Sequence, residues 1–234
     1  MNATPKLEIA LFAVGFAMAA LVILALVWSG DGPYEDMARA NGISDAVFLM
    51  GSREPRANVS IELGTLVQWH HAWSTYVTGG SLEIGPGVEE WFTGDEMAHM
   101  ADVRRVFDGA KLLVPVGLFV MALRMQRART RGLDAMLQLI RAGAVVAGVA
   151  VATVGIVAAL AFEQAFLLFH EVFFPQGNFL FDPATSNLVR LYPDWYWQGI
   201  TFRIGLSFIA VAALVAVVAS MGLRRARSTR LASA

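Results

Sequence analysis

Lys111-Leu112-Leu113-Val114-Pro115-Val116-Gly117-Leu118-Phe119-Val120-Met121-Ala122-Leu123-Arg124 decides how often this chain crosses a membrane. Only the residues between Lys111 and Arg124 are free of charge, and Pro115 interrupts them, so this is the weakest of four apolar runs. The other three, Leu7 to Trp28, Ala142 to Phe162 and Ile200 to Leu223, are each long enough to cross about 30 Å of hydrocarbon at roughly 1.5 Å per residue. Charge asymmetry decides the fourth. The loop after it carries Arg124, Arg127, Arg129, Arg131 and Arg141 against one acid, Asp134, and the tail carries Arg224, Arg225, Arg227 and Arg230. The stretch from Asp31 to Asp108 instead holds 13 acids and five arginines. Without a crossing near 110–126, the basic loop and the basic tail would lie on opposite sides, against the positive-inside tendency. Four crossings put both inside. The sequence thus predicts an all-α membrane protein, one membrane domain over 1–234, with spans near 7–29, 110–126, 142–169 and 200–223. Both termini are expected to be cytoplasmic, with 30–109 and 170–199 outside.

With 56% hydrophobic and 16% charged residues, the chain is too apolar for an ordinary soluble domain of 234 residues. Leu7 to Trp28 exceeds the roughly 7–15 residues of a signal-peptide core and has no small-residue cleavage site close behind, so it reads as a retained span. Arg203, near the outer end of the last run, can snorkel to the headgroups. The absence of cysteine removes disulfides, thiolate metal sites, attached c-type haem and any thioester intermediate. A net charge of −1, with the arginines explained as topology signals, leaves no basic stripe for nucleic acid.

The outer segment is punctuated by turn signals at Asp31-Gly32-Pro33, Asn41-Gly42, Gly79-Gly80 and Gly85-Pro86-Gly87. Between them Tyr34 to Ala40, Asp45 to Met50 and Leu63 to Tyr76 read as short amphipathic helices. Trp69, Trp73 and Tyr76 place this segment partly on the headgroup region, and His70 and His71 read as interfacial residues of the same helix.

A further helix is expected to start at Thr93 or Asp95, because Thr93 followed by Glu96 fits a capping box. It carries Asp95, His99 and Asp102 on one face, with Glu96 also within a turn of His99. A carboxylate beside a histidine fixes its tautomer and favours its charged form, which suits a general base. Asp102 can equally pair with Arg105 at i+3. If the third helix runs unbroken from Ala142 to Phe169, it spans about 42 Å and delivers His170 to the same outer surface. Glu163 lies two turns below His170, and an acid at that depth is expected to face protein or water. Phe169, Phe173 and Phe174 around His170 favour a neutral imidazole. Two histidines at one membrane surface point to a reaction site. A zinc hydrolase would need a third ligand and lacks the compact HExxH spacing. Haem ligation would put both ligands at one surface rather than inside paired spans. Acyl transfer on a lipid of the outer leaflet suits the placement best. The rival readings are a metal-dependent membrane hydrolase and a non-enzymatic receptor that uses the outer segment as a partner platform.

Two motifs in order, Glu96-Met97-Ala98-His99-Met100-Ala101-Asp102-Val103 and Phe169-His170-Glu171-Val172-Phe173-Phe174 followed by Leu188-Val189-Arg190-Leu191-Tyr192-Pro193, resemble those of the lipoprotein intramolecular transacylase (Lit) family of bacterial membrane proteins. The resemblance covers most of the chain. It implies a cytoplasmic-membrane enzyme, acting at the outer face without a cofactor or metal. Such an enzyme moves the sn-2 acyl chain of a diacylglyceryl-modified cysteine onto that cysteine's own amine, and the resemblance leaves another diacyl lipid open as substrate. By the same resemblance His99 and His170 are the catalytic pair. His99 is the expected base because Glu96, Asp102 and Asp95 are near it in sequence. Arg190 and Tyr192 are expected to bind the polar part of the lipid, with Phe173, Phe174 and Trp195 lining an acyl groove.

Overall fold

The computed structural model describes residues 5–50, 56–85 and 87–232, so Pro86 of the Gly85-Pro86-Gly87 turn lies outside the described residues. In chain order the elements are α1 (Lys6–Trp28), α2 (Asp31–Ala40), β1 (Asp45–Met50), β2 (Ala57–Glu62), α3 (Leu63–Val77) and α4 (Gly94–Arg129). They continue with α5 (Leu133–Leu160), α6 (Phe162–Phe173), α7 (Asn187–Leu191) and α8 (Asp194–Ala232). Four of these, α1, α4, α5 and α8, are long and apolar enough to cross a membrane. The expected second crossing is among them: α4 runs on through Pro115 without a break.

Two expectations change. The third crossing is α5, and the helix stops at Leu160 rather than continuing to Phe169, because Ala161 leaves the helical region (φ −136°, ψ 53°) before α6 restarts at Phe162. No glycine or proline marks this break. Its cause is tertiary, since α6 turns Phe166 and His170 into packed aromatic surroundings while Glu163 and Gln164 stay exposed. Glu163 is therefore on an exposed face. Asp45 to Met50, expected as a helix, is a strand paired antiparallel with Ala57–Glu62, with Phe48 opposite Val59 and Ala46 opposite Ile61. A six-residue apolar run has no decisive period, and the partner strand settles it.

The chain divides into two compact units. The first unit comprises 1–25, 111–157 and 203–234. Its core joins Phe12, Phe16, Leu139, Ala144, Ala147, Phe208 and Ala212. Outside that core, Val116, Phe119, Val149, Val154 and Leu214 are exposed, as a surface solvated by lipid tails requires. Small residues allow close backbone approach: a Cβ at Gly117 would lie 2.5 Å from the Gly15 carbonyl oxygen and 3.2 Å from the Ala19 Cβ. Glu8, buried in the first turn of α1, accepts ion pairs from Arg127 and Arg131 at 3.5 Å each. That contact brings the start of α1 beside the end of α4.

The second unit comprises 26–110 and 158–202 and carries both histidine motifs. Its core is aromatic. Trp73 is fully buried against Phe92 (centroids 5.1 Å apart), and Trp69 packs on Phe48 at 5.0 Å and Trp91 at 5.0 Å. Trp69 and Trp73, expected at the headgroups, are thus turned inward, because a helix–hairpin layer buries large rings more completely than an interface does. The free edge of β1 is met by side chains: Asn187 accepts from the Leu49 amide at 2.9 Å and donates to its carbonyl at 2.8 Å, and Arg190 donates to the Val47 carbonyl at 2.8 Å.

The close approach in the first unit yields a paired test. Gly117→Ala forces α1 and α4 apart and is expected to destabilise by about 1–3 kcal/mol, as overpacking does. Gly109→Ala, whose Cβ meets nothing within 4 Å, is expected to be neutral or to stabilise by up to about 1 kcal/mol. Unfolding midpoints of the two variants in detergent check this, and equal midpoints contradict the packing.

Candidate active site

The site begins with the capping box at the start of α4. The Thr93 backbone amide donates to the Glu96 carboxylate at 2.7 Å, and the Glu96 amide donates to the Thr93 hydroxyl at 3.3 Å, as the spacing predicts. The other oxygen of Glu96 reaches the segment before α7, accepting from the Ser186 hydroxyl at 2.5 Å and the Leu188 amide at 2.7 Å. Ser186 in turn caps α7 by accepting from Val189 at 3.2 Å. Glu96 is 1% exposed and its carboxylate is saturated.

One turn on, His99 meets His170 of α6. Their rings stack with centroids 6.1 Å apart and planes 20° from parallel, and both residues are more than nine-tenths buried. Phe174 lies 4.8 Å from His99 and 5.4 Å from His170, Phe181 lies 5.6 Å from His99, and Phe179 lies 5.3 Å from His170. Phe166 packs on His170 with ring centroids 4.1 Å apart and planes 45° apart. The Nδ1 of His170 lies 2.8 Å from the Phe166 carbonyl, which can only accept, so Nδ1 carries the proton and Nε2 keeps a free lone pair. Burial holds His170 below the usual histidine value, in its neutral form.

None of the three expected carboxylates hydrogen-bonds His99 among the described residues. Asp95 is exposed, Glu96 is committed to the two helix starts, and Asp102 is satisfied elsewhere. One Asp102 oxygen pairs with Arg105, and the other accepts from Gln176 at 2.5 Å and Asn178 at 2.7 Å. The Nδ1 of His99 is buried with no hydrogen-bond partner among the described residues. Side-chain competition sends Glu96 and Asp102 to better donors and leaves Asp95 on the exposed side of the helix.

The expected lipid-binding residues separate. Phe174 stands against both imidazoles and is 2% exposed, while Phe173 packs on Phe169 at 4.6 Å and stays half exposed. Arg190 donates to the carbonyls of Val47 and Ala184, which places its guanidinium against β1. Tyr192 and Trp195 belong to a second aromatic cluster around Tyr34, at 6.3 and 5.7 Å from its ring. None of Gln176, Asn178, Phe179 and Phe181 is among the site residues expected from the sequence. The signal that could have found them is Pro175-Gln176-Gly177-Asn178, a turn directly behind the second motif in which the Gly177 amide closes on Phe174 at 3.0 Å. Among the described residues no three His, Cys, Asp or Glu side chains gather as a metal would require.

The two histidine motifs, read as sequence, can be placed against known families. A family model described as lipoprotein intramolecular transacylase Lit matches residues 67–197, more than half of the chain and both motifs. The chain belongs to the Lit family. It is a membrane-integral acyltransferase. In-meso structures of the membrane-integral lipoprotein intramolecular transacylase Lit from Bacillus cereus share its fold: one has a TM-score of 0.69 at 13% identity, covering 95% of this chain and 97% of that one. A second, with a histidine-to-arginine mutation, has a TM-score of 0.65 at 12% identity, covering 96% and 94%. A third, with a histidine-to-alanine mutation, also scores 0.65 at 12%, covering 95% of each chain. No curated protein matches the chain significantly.

The other buried histidine of this Lit protein is structural. His70 is 1% exposed, stacks on Tyr34 at 4.4 Å, sits 3.2 Å from the Tyr192 hydroxyl and donates from Nε2 to the Ser29 carbonyl at 3.1 Å. His71 is exposed and pairs with Asp31 at 2.8 Å. Burial pushes His70 down to about 4, so the unfolded chain binds the proton more readily than the folded one. Its contribution is complete above the ordinary value near 6.5 and is lost as pH falls through about 4, a range worth roughly 3 kcal/mol. Melting temperatures measured from pH 7 to 4 are expected to fall across that window, and less steeply in His70→Asn. An unchanged slope in that variant contradicts this account.

Proposed function

We propose that this transacylase moves the sn-2 acyl chain of a diacylglyceryl-modified cysteine, at the N-terminus of a bacterial lipoprotein, onto the α-amine of the same cysteine. The product is an N-acylated lyso-form lipoprotein with a free sn-2 hydroxyl. The observation that carries this reading is the stacked pair of buried imidazoles, one of them with a fixed tautomer. His170 is the base, because its Nδ1–H is committed to the Phe166 carbonyl and its Nε2 lone pair is free. This reverses the assignment expected from sequence, which rested on carboxylates that bond elsewhere.

An α-amine with a pKa near 8 is mostly protonated at neutral pH and must lose a proton before attacking the ester carbonyl. His170 takes a proton from the attacking nitrogen. His99, whose buried Nδ1 has no hydrogen-bond partner among the described residues, hydrogen-bonds the carbonyl oxygen as it gains charge, and the protonated His170 returns its proton to the departing glycerol oxygen, so both imidazoles end as they began. From the ammonium form one proton leaves to solvent to free the amine; the N–C bond then forms, the C–O ester bond breaks, and the second proton passes from nitrogen to the sn-2 oxygen. Nucleophile and ester belong to one molecule, and holding them in a near-attack geometry is worth up to about 7–11 kcal/mol in favourable cases. No enzyme nucleophile is needed, which agrees with a chain that has no cysteine. Phe174, Phe179 and Phe181 supply an apolar wall where an acyl chain could rest.

The arginine-rich loop and tail support a cytoplasmic placement of both termini, and Glu8 bridging to Arg127 and Arg131 agrees with the N-terminus and that loop sharing one side. The site then works on the outer face of the bacterial cytoplasmic membrane. His99→Ala and His170→Ala are each expected to lower formation of the lyso form by about 100-fold or more while the protein still accumulates in membranes. Mass spectrometry of lipoprotein N-termini measures it, and normal product from both variants discards the pair. For the wild type, kcat is expected to fall as pH drops below the substrate amine's value near 8, and the further loss from protonating His170 should enter only below the ordinary histidine value of about 6.5, because His170 is depressed.

A further inference from the structure

His99 and His170 are 6% and 7% exposed, yet their substrate carries two acyl chains and a polypeptide. The covering rings Phe174, Phe179 and Phe181 all come from the segment between α6 and α7. That segment has little regular structure of its own; its far end is tied to α4 by Ser186 on Glu96, and the stretch that carries Phe174 and Phe179 is hydrogen-bonded to α4 through Asp102. We propose that Asp102 is a positioning residue that latches this aromatic loop over the histidine pair, acting through Gln176 and Asn178 rather than on His99 directly.

The geometry is specific. Gln176 and Asn178 flank Gly177, whose positive φ (78°) turns the chain so that both amide side chains point the same way. Their NH2 groups converge on one oxygen of Asp102, at 2.5 and 2.7 Å, and Gln176 also donates to the Asn178 side-chain oxygen at 3.1 Å. Arg105 occupies the other oxygen and holds the carboxylate in place. Asp102 is only 9% exposed, so these are charge-assisted bonds in a partly desolvated place. Phe174 precedes the pair of amides and Phe179 follows it. When the latch is made, both rings close on the imidazoles. When it opens, the rings are free to leave and admit a bulky lipid. Closing the latch again excludes water from an ester and an amine that must meet each other first.

This inference rests on the catalytic reading of the pair, so the test reads the loop and the reaction separately. Full-length protein in detergent is compared as wild type, Asp102→Asn, Gln176→Ala and Asn178→Ala. The readouts are hydrogen exchange of peptides covering 174–181, with 63–77 as internal reference, and kcat and KM on a synthetic diacylated lipopeptide. Exchange in 174–181 is expected to speed up about 10-fold or more in every variant, with 63–77 unchanged. Turnover is expected to fall about 10- to 100-fold, with KM shifting less than about 3-fold. The two alanine variants leave the Asp102 charge in place, so they report even if Asp102→Asn folds poorly. Gln176→Ala, at an exposed residue, reports on the loop alone, whereas the half-buried Asn178 also lies beside His99. In the exchanged pair Asp102→Asn with Asn178→Asp, an amide donates to a carboxylate across the same gap, and loop protection and most of kcat should return. Unchanged loop exchange in Asp102→Asn overturns the latch whatever the activity does. So does loss of turnover in Asp102→Asn alone while both alanine variants behave as wild type, which assigns its charge a direct role. Full activity in His99→Ala and His170→Ala sinks the catalytic reading instead, and the exchange data then still decide the latch.

Discussion

The buried carboxylate of Glu96 holds the histidine-bearing unit in register. It closes the first turn of α4 through Thr93 and, with its other oxygen, the start of α7 through Ser186 and Leu188. Four donors on a carboxylate that is 1% exposed offset a desolvation cost that an unpaired charge could not bear. The start of α4 thereby sets where His99 sits, and the start of α7 sets where Asn187 grips the Leu49 backbone and the Trp91 carbonyl. Removing that one carboxylate would leave two helix starts with unsatisfied amides at once.

The imidazoles next to it follow a different logic. Rather than being activated by a carboxylate, His170 is oriented by a carbonyl and kept neutral by burial among phenylalanine rings. A neutral imidazole with a free lone pair suits a reaction whose protonated amine arrives with the substrate and whose charge must not persist. Two stacked rings also disfavour simultaneous protonation, because like charges so close in a dry site repel strongly. This arrangement fits transfer within one molecule, where the protein's task is closure and proton handling rather than nucleophilic attack.

Legibility from sequence depended on the range of the interaction. The capping box at Thr93 and Glu96, the Asp102 to Arg105 pair and the apolar spans were all readable, because each depends on residues within one turn or on summed hydropathy. Asp45 to Met50, expected as a helix, is a strand, because a short apolar run fits either period until Ala57 to Glu62 pairs with it. The break at Ala161 had no local marker, so only the packing of Phe166 and His170 reveals it. Trp69 and Trp73 carried the amphipathic signal of an interfacial helix, yet the hairpin and the turn at Trp91 cover them.

Hydropathy, the arginine distribution and the two histidine motifs determined, from sequence by themselves, a four-crossing membrane protein with paired imidazoles, since burial in lipid and charge placement act on composition. The partners of those imidazoles were decided only by tertiary structure. Hydrogen bonds are satisfied over a few ångströms in space, so Glu96 and Asp102, a turn from His99 along the chain, are drawn to donors about eighty residues away that fold up against them.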